Sequence, residues 1–280
     1  MNKISPIISP SEFKNFPSEN LIILDARVGK DACQSYLNKH IQGARFVDLD
    51  KDLAEIGKDT AHGGRHPLPI IEKSAETISR LGISEDSHII IYDDKNGSNA
   101  AARAWWMLKA FGLKNVQVLD GGFQEAEKGT LEFSSGEEAF EIAKIINRKD
   151  WLLPLSSLEN IENELTNNSA TVIDVRDSYR YKGESEPIDL VAGHIPGAIN
   201  IPFSENLDEN GFFLKPEILR RKYLKLLENL PEKLIIHCGS GVTACHTILA
   251  LHYAGFEIPN LYVGSWSEWS RREGMEIVTE

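Results

Sequence analysis

The sequence predicts an α/β protein of two tandem domains, each built on a parallel β-sheet flanked by helices. At 280 residues the chain is long enough for two domains of ~150 residues. Its two halves repeat the same order of segments, and short apolar runs alternate with helical stretches in both. This alternation is typical of parallel sheets with right-handed crossovers. A polar stretch at residues 134–138 begins the expected linker, so we place the domains at residues 1–145 and 146–280.

Each half opens with a helix start followed by a strand. The tetrapeptides at residues 9–12 and 156–159 fit a capping box, in which a hydroxyl and a carboxylate satisfy the free amides of a helix N-terminus. The apolar runs at residues 21–27 and 171–176 follow, and both end in Asp-x-Arg. Short apolar runs of this kind predict buried parallel strands.

The two halves then differ at two places. Both carry a His-Ile-x-Gly-Ala turn, at residues 40–44 and 194–198, but the second half has five extra residues before it, around residues 180–188. A third apolar strand follows in each half, and it ends in Asp93 in the first and in Cys238 in the second. The difference at the end of this strand predicts that chemistry is retained in one half only.

Composition narrows the functional classes. The net charge of −12 disfavours a general role on nucleic acid or on an anionic membrane, since such binding depends on basic patches. The N-terminal residues lack the long apolar stretch of a signal peptide, and no apolar run approaches the ~20 residues of a spanning helix. Three cysteines are too few for a secreted disulfide framework. We therefore expect a cytoplasmic protein with free thiols.

The strongest chemical signal is the segment that follows the third strand of the second half and leads into a helix. A loop between a strand end and a helix N-terminus can direct several backbone amides at one atom, and the helix dipole adds partial positive charge. Such a site favours a thiolate, the nucleophilic form of cysteine. Glycines allow the backbone angles that a tight loop requires. The predicted loop comprises Cys238, Gly239, Ser240, Gly241, Val242 and Thr243.

The other two cysteines, Cys33 and Cys245, are interpreted as structural, because neither begins such a loop; a redox role for Cys245 stays open. The corresponding loop of the first half, after Asp93, is two residues longer and has no Gly-x-Gly. We expect it to lack converging amides, so that a cysteine placed at Asp93 would not create a second site.

The whole chain resembles the tandem-domain sulfurtransferases of the rhodanese family, which include thiosulfate sulfurtransferase and 3-mercaptopyruvate sulfurtransferase. The cysteine loop carries this resemblance together with the segments at residues 193–198 and 264–266. It implies two rhodanese-like domains, of which the second is active and the first is a degenerate copy. It also implies a ping-pong reaction in which Cys238 takes sulfur from a small donor as a persulfide and passes it to cyanide or a thiol. A thioredoxin-like reductant is a candidate partner, and no metal or organic cofactor is expected.

The resemblance also assigns roles to residues outside the loop nucleophile. Ser240 matches the mercaptopyruvate branch and is suited to assist at a carbonyl, whereas thiosulfate enzymes place basic residues in the loop. Arg180 matches an arginine that contacts the donor anion, and Ile188 stands where mercaptopyruvate enzymes usually carry a second arginine. Residues 63–69 resemble the family segment that reaches over the interdomain cleft, and His66 fits its histidine as a substrate-binding residue, which Asp50 could orient.

Three functions are compatible with the sequence. Mercaptopyruvate is the favoured donor, with thiosulfate:cyanide sulfur transfer as the alternative main activity. A non-catalytic sulfur carrier or binding module would use the same fold without turnover. A cysteine phosphatase is disfavoured, since such enzymes place an arginine six residues after the nucleophile and Ala244 stands there.

Overall fold

The computed structural model describes residues 4–129, 131–228 and 230–280. The chain divides into two compact units. The first consists of Met1–Glu55, Pro69–Leu152 and Asn210–Phe212, and the second of Ile56–Leu68, Leu153–Glu209 and Phe213–Glu280. The segment Ile56–Leu68 lies in the first half of the sequence but belongs to the second unit. The predicted α/β class is confirmed, with one parallel five-stranded sheet in each unit.

The first unit is built on a sheet with strand order β1-β6-β5-β2-β4, and a separate antiparallel pair is formed by β3 and β7. Its elements are β1 (Ile7–Ile8), α1 (Pro10–Lys14), β2 (Leu21–Asp25), α2 (Ala32–Asn38), β3 (His40–Ile41), β4 (Ala44–Phe46), α3 (Ile71–Arg80), β5 (His88–Tyr92), α4 (Ala100–Ala110), β6 (Asn115–Leu119), α5 (Gly122–Lys128) and β7 (Phe133–Ser134).

The second unit is built on a sheet with strand order β10-β9-β11-β12-β8. Its elements are β8 (Leu155–Ser156), α6 (Leu158–Thr166), β9 (Thr171–Asp174), α7 (Ser178–Tyr181), β10 (Ile199–Asn200), a 3₁₀ helix (Phe203–Asn206), α8 (Pro216–Leu226), β11 (Leu234–His237), α9 (Thr243–Tyr253), β12 (Asn260–Tyr262) and α10 (Ser265–Trp269).

The two sheets share one topology, because the strands of each pair in the same sequential pattern. Strand β5 of the first unit corresponds to β11 of the second, and each is the central strand of its sheet. Asp93 and Cys238 follow these two strands directly. In open parallel sheets the carboxyl ends of the strands are where ligands bind. The repeat therefore places Asp93 and Cys238 at equivalent positions of the two folds.

The helix starts agree with the sequence in one half and shift in the other. At α1 the predicted box is present, with Ser9 as N-cap and Glu12 closing it. At α6 the N-cap is Ser157 and Asn160 closes the box, so the prediction at residues 156–159 is one residue early. The reason is that Ser156 is the last residue of β8 and is buried.

Three large side chains of α4 are buried within the first unit. Arg103, Trp105 and Trp106 have almost no exposed surface, and the guanidinium of Arg103 donates to the Leu53 carbonyl oxygen. Among the described residues, no helix is both long and apolar enough to cross a membrane.

Candidate active site

The backbone around Cys238 is fixed by the N-terminal end of α10. The Cys238 amide donates to Ser265 Oγ at 3.2 Å, and the Cys238 carbonyl accepts from the Trp266 amide at 3.0 Å. The next carbonyl, that of Gly239, accepts from the Ser267 amide at 2.8 Å. Cys238 itself is 1% exposed. The cysteine is thus held in a defined position at the end of the central strand.

Gly241 makes the tight return from the loop into α9. Its φ is +72°, and a Cβ built on it would lie 2.6 Å from the Val263 carbonyl oxygen. Only glycine meets both conditions without strain. On the helix, Cys245 directs its Sγ at the Gly241 carbonyl oxygen, 3.3 Å away. Cys33, Cys238 and Cys245 all lie in the described part of the chain, and none of them forms a disulfide.

His66 and Ser240, two of the predicted site residues, lie together in the structure. The distance from His66 Nδ1 to Ser240 Oγ is 2.8 Å, although the two residues are 174 positions apart in the sequence. A histidine bonded to a hydroxyl can exchange a proton with it, which suits acid or base assistance at a carbonyl. Asp50 is exposed and belongs to the first unit, where its amide donates to the Asp48 carboxylate. The interpretation of Asp50 as the residue that orients His66 stays a prediction.

The segment that carries His66 is tied to α10 by two side chains. The Gly63 amide donates to Glu268 Oε1 at 2.8 Å, and the Arg65 amide donates to Ser267 Oγ at 3.0 Å. Because α10 also binds the carbonyls of the cysteine loop, one short helix positions both parts of the site. Glu268 and Ser267 were not singled out in the sequence, since no motif links them to the loop.

Arg180 lies on α7 and is held by two carboxylates. Its Nη2 atom lies 2.8 Å from Glu186 Oε1 and 3.3 Å from Asp189 Oδ2. Burial acts to lower the pKa of Arg180, but the hydrogen bond and charge of Glu186, then Asp189 and the Cys238 sulfur, outweigh it and raise the pKa. The guanidinium therefore stays charged beside the cysteine.

A second guanidinium near the loop was missed by the sequence analysis. Arg65 pairs with Asp189 Oδ1 and directs its other terminal nitrogen toward the loop. A Cβ built on Gly239 would lie 3.1 Å from Arg65 Nη2 and 3.4 Å from Arg180 Nη2. Two cations thus flank the residue after the cysteine, while Ile188 is 57% exposed. The only available sequence signal was the position of Arg65 beside His66.

The segment between α7 and β10 is anchored on Arg176, the arginine of the Asp-x-Arg repeat. Arg176 bonds to Asp174, to Glu186 Oε2 at 3.2 Å and to the Gly193 carbonyl oxygen at 2.6 Å. Its guanidinium also lies over the Trp266 ring, 4.5 Å from the centroid. These bonds fix the extra residues of the second half, so that Arg180 is presented in one orientation.

The expectation for the first unit's loop was wrong, because its amides do converge. The Asp93 carboxylate is fully buried and accepts four backbone N–H groups at 2.8–3.1 Å. The donors are Lys95, Gly97, Asn99 and Ala101. Burial raises the pKa of Asp93, and the four amide bonds act against that shift.

The longer first loop achieves this convergence with two consecutive left-handed residues. Asn96 has a φ of 56° and Gly97 a φ of 70°. Asparagine, like glycine, adopts left-handed backbone, so this loop can turn without a Gly-x-Gly pattern. The absence of a Gly-x-Gly pattern is therefore no sign that a loop cannot form an amide cradle.

Comparison with known proteins agrees with this geometry. The model of the rhodanese-like domain matches the chain twice, at residues 9–128 and 157–272. The chain belongs to the rhodanese-like family, with two tandem copies of the domain, and it is an enzyme of the sulfurtransferase class.

Three relatives illustrate the match. A probable 3-mercaptopyruvate sulfurtransferase of Pseudomonas aeruginosa is 40% identical over 257 residues, covering 89% of each chain. The thiosulfate sulfurtransferase of Gallus gallus is 36% identical over 248 residues, covering 87% of this chain and 82% of the relative. The structure of 3-mercaptopyruvate sulfurtransferase from Leishmania major superposes with a TM-score of 0.83 at 29% identity, covering 96% of this chain and 76% of that one.

Proposed function

We propose that the chain moves sulfane sulfur from a small anionic donor, with 3-mercaptopyruvate favoured, to a thiol or cyanide through a persulfide on Cys238. The observation that carries this proposal is the amide-bound carboxylate of Asp93. Asp93 shows that, in this repeated fold, the loop after the central strand can bind an anion at its first residue. Cys238 occupies that position in the second unit, and we infer that its loop stabilises a thiolate and a terminal persulfide in a similar way.

The residues described above support a division of roles. The Cys238 thiolate attacks the donor sulfur, and an S–S bond forms. The C–S bond of the donor breaks at the same time, and its electron pair stays with the carbon fragment, which leaves as the enolate of pyruvate. Ser240, bonded to His66, assists at the donor carbonyl, and a proton returns to the leaving carbon. An acceptor thiolate then takes the outer sulfur and restores Cys238. Gly239, Gly241, Val242 and Thr243 provide the loop backbone.

Arg180 and Arg65 are the proposed anchors for the donor anion. Both direct a terminal nitrogen at the space over Gly239, and a guanidinium can bind a carboxylate with two hydrogen bonds. The loop residues Gly239 and Ser240 carry no cation to pair with the second charge of thiosulfate, which favours mercaptopyruvate. The presence of Arg65 near the loop keeps thiosulfate as the second candidate donor.

Residues 146–280 are the proposed catalytic domain, to which the segment Ile56–Leu68 adds Arg65 and His66. Residues 1–145 are otherwise the proposed inactive domain, because a carboxylate at Asp93 cannot carry sulfane sulfur. We further propose that the enzyme works in the cytoplasm and that a thioredoxin-like reductant is one of its acceptors. The sparse cysteines, none of them in a disulfide among the described residues, support a reducing compartment.

Mass spectrometry of the protein after exposure to each donor tests the proposal. An adduct of one sulfur atom on Cys238, removed by cyanide and absent in Cys238→Ser, is the expected result. The serine variant should lose sulfur transfer with little change in stability, since only the nucleophile is removed. A wild-type protein without any adduct would favour a non-catalytic binding module. Turnover of a phosphate ester well above that of Cys238→Ser would favour a phosphatase.

Steady-state kinetics with 3-mercaptopyruvate and thiosulfate, measured side by side, decides the donor. A higher kcat/KM for mercaptopyruvate is expected. The reverse order would contradict the argument from the neutral loop residues and give more weight to Ile188, where a second arginine is missing.

A further inference from the structure

Asp189 is a buried carboxylate beside the candidate active site that the reaction proposed above does not use. Its side chain has no exposed surface, and three guanidinium groups reach it. Arg65 and Arg271 bind Oδ1, with Arg271 Nη1 at 2.9 Å, and Arg180 Nη2 lies 3.3 Å from Oδ2. A carboxylate bound by three guanidinium groups fixes their positions and also neutralises part of their charge.

Asp189 is close to the space where the donor would bind. A Cβ built on Gly239 would lie 3.6 Å from Asp189 Oδ2, beside the terminal nitrogens of Arg65 and Arg180. The carboxylate therefore stands among the groups that surround the residue after Cys238. Any donor anion bound by the two arginines would feel its negative charge directly.

A count of the connected charges shows how much positive charge Asp189 leaves. Among the described residues, the ion pairs that run from Asp174 to Arg271 join three carboxylates and four guanidinium groups, leaving a net charge of +1 before the Cys238 thiolate is counted. The carboxylates are Asp174, Glu186 and Asp189, and the cations are Arg65, Arg176, Arg180 and Arg271. Burial lowers the pKa of His237, the histidine beside Asp174, so it adds no charge at neutral pH.

We infer that Asp189 is a specificity-determining residue that sets the charge of the accepted donor. With Asp189 in place, its negative charge opposes a dianion such as thiosulfate more strongly than a monoanion such as 3-mercaptopyruvate. Without its charge the same arginines present a net charge of +2, which suits a dianion. This inference deepens the proposed function and rests on it for the identity of the donors.

The test is the ratio of kcat/KM for thiosulfate to kcat/KM for 3-mercaptopyruvate. In Asp189→Asn the ratio should rise about tenfold, because one unit of repulsion near the donor is removed at almost unchanged shape. Asp189→Glu keeps the charge and should keep the ratio. The exposed carboxylate of Glu184, on the same segment, provides the matched control: Glu184→Gln should leave the ratio unchanged.

Substitution of Arg271 lowers the net charge of these ion pairs, whereas Asp189→Asn raises it. Arg271→Gln removes a cation that contacts Asp189 and the Ser267 carbonyl oxygen, and it should lower the ratio. The double variant of Asp189→Asn with Arg271→Gln restores the net charge and should return the ratio to within about threefold of wild type. A purely structural role would instead reduce kcat/KM for both donors together. If Asp189→Asn does not fold, the Arg271→Gln arm alone still decides the inference.

A binding measurement separates failure of this inference from failure of the proposed function. In the Cys238→Ser background, calorimetry with sulfate as the dianion and pyruvate as the monoanion needs no turnover. Asp189→Asn should strengthen sulfate binding relative to pyruvate by a similar factor. An unchanged or lowered preference for sulfate in a folded Asp189→Asn protein would overturn the inference, whether or not the wild-type enzyme transfers sulfur.

Discussion

A matched pair of alanine substitutions can distinguish the roles of the two glycines in the cysteine loop. Gly241 has a φ of +72°, and a Cβ on it would lie 2.6 Å from a backbone oxygen. The left-handed conformation costs ~1–2 kcal/mol for alanine, and relief of the close contact adds ~1–2 kcal/mol. Gly241→Ala should therefore destabilise the protein by about 3 kcal/mol, which corresponds to a fall in Tm of about 10 °C for the affected domain.

Gly239→Ala provides the contrast, because Gly239 is outside the left-handed region. The atoms nearest to its added Cβ are the ends of Arg65 and Arg180, at 3.1 and 3.4 Å, which can move aside. We expect a change of unfolding free energy below about 1 kcal/mol. The methyl group would, however, enter the space between the two guanidinium groups and lower kcat/KM for mercaptopyruvate by roughly tenfold, through KM.

Thermal unfolding of both variants, followed by donor kinetics, checks the pair of predictions. The expected pattern is a stable Gly239→Ala with weak donor binding and an unstable Gly241→Ala. A Gly241→Ala variant whose Tm stays within about 2 °C of wild type would refute the strain argument. A Gly239→Ala variant with unchanged KM would show that the donor does not occupy the space between the arginines.

Three further predictions follow from other parts of the structure. Arg180→Ala should weaken mercaptopyruvate use by about 1.5 to 3 kcal/mol in kcat/KM, the usual contribution of a charged hydrogen bond, and kinetics at saturating acceptor measures it. Asp93→Asn replaces one of two accepting oxygens by an amide group that cannot accept, which leaves two buried N–H groups unsatisfied. Urea unfolding should show a loss of about 2–5 kcal/mol, and a loss no larger than that of a surface Asp→Asn control would contradict the role of the four amides. The pKa of Glu138 is lowered from 4.5 to about 2 by its hydrogen bonds to Ser134, the Gly43 amide and His40. The stabilisation from Glu138 is therefore full above pH ~4.5 and is lost as the pH falls toward 2, so the stability difference between wild type and Glu138→Gln should shrink over that range.

Much of the architecture could be predicted from the sequence because the two halves of the chain are similar and can be aligned with each other. Two halves with the same order of apolar runs fix the strand pattern, since buried parallel strands need continuous apolar segments. The repeat also aligns Asp93 with Cys238 without any reference to other proteins. The loop after the central strand was identified for the same reason, because its glycines and cysteine lie next to one another in the chain.

Tertiary structure decided the features that depend on residues distant in sequence. Arg65 and His66 lie more than 170 positions before the loop that they flank, and no periodicity links them to it. The charge left on the arginines is set by Asp189, whose role depends on three partners from separate segments. The convergence of amides on Asp93 could not be predicted from the sequence either, because backbone hydrogen bonds depend on the backbone angles and only weakly on residue type. The sequence alone therefore predicted the cysteine loop of the proposed site, whereas the fold decided which charged side chains surround it.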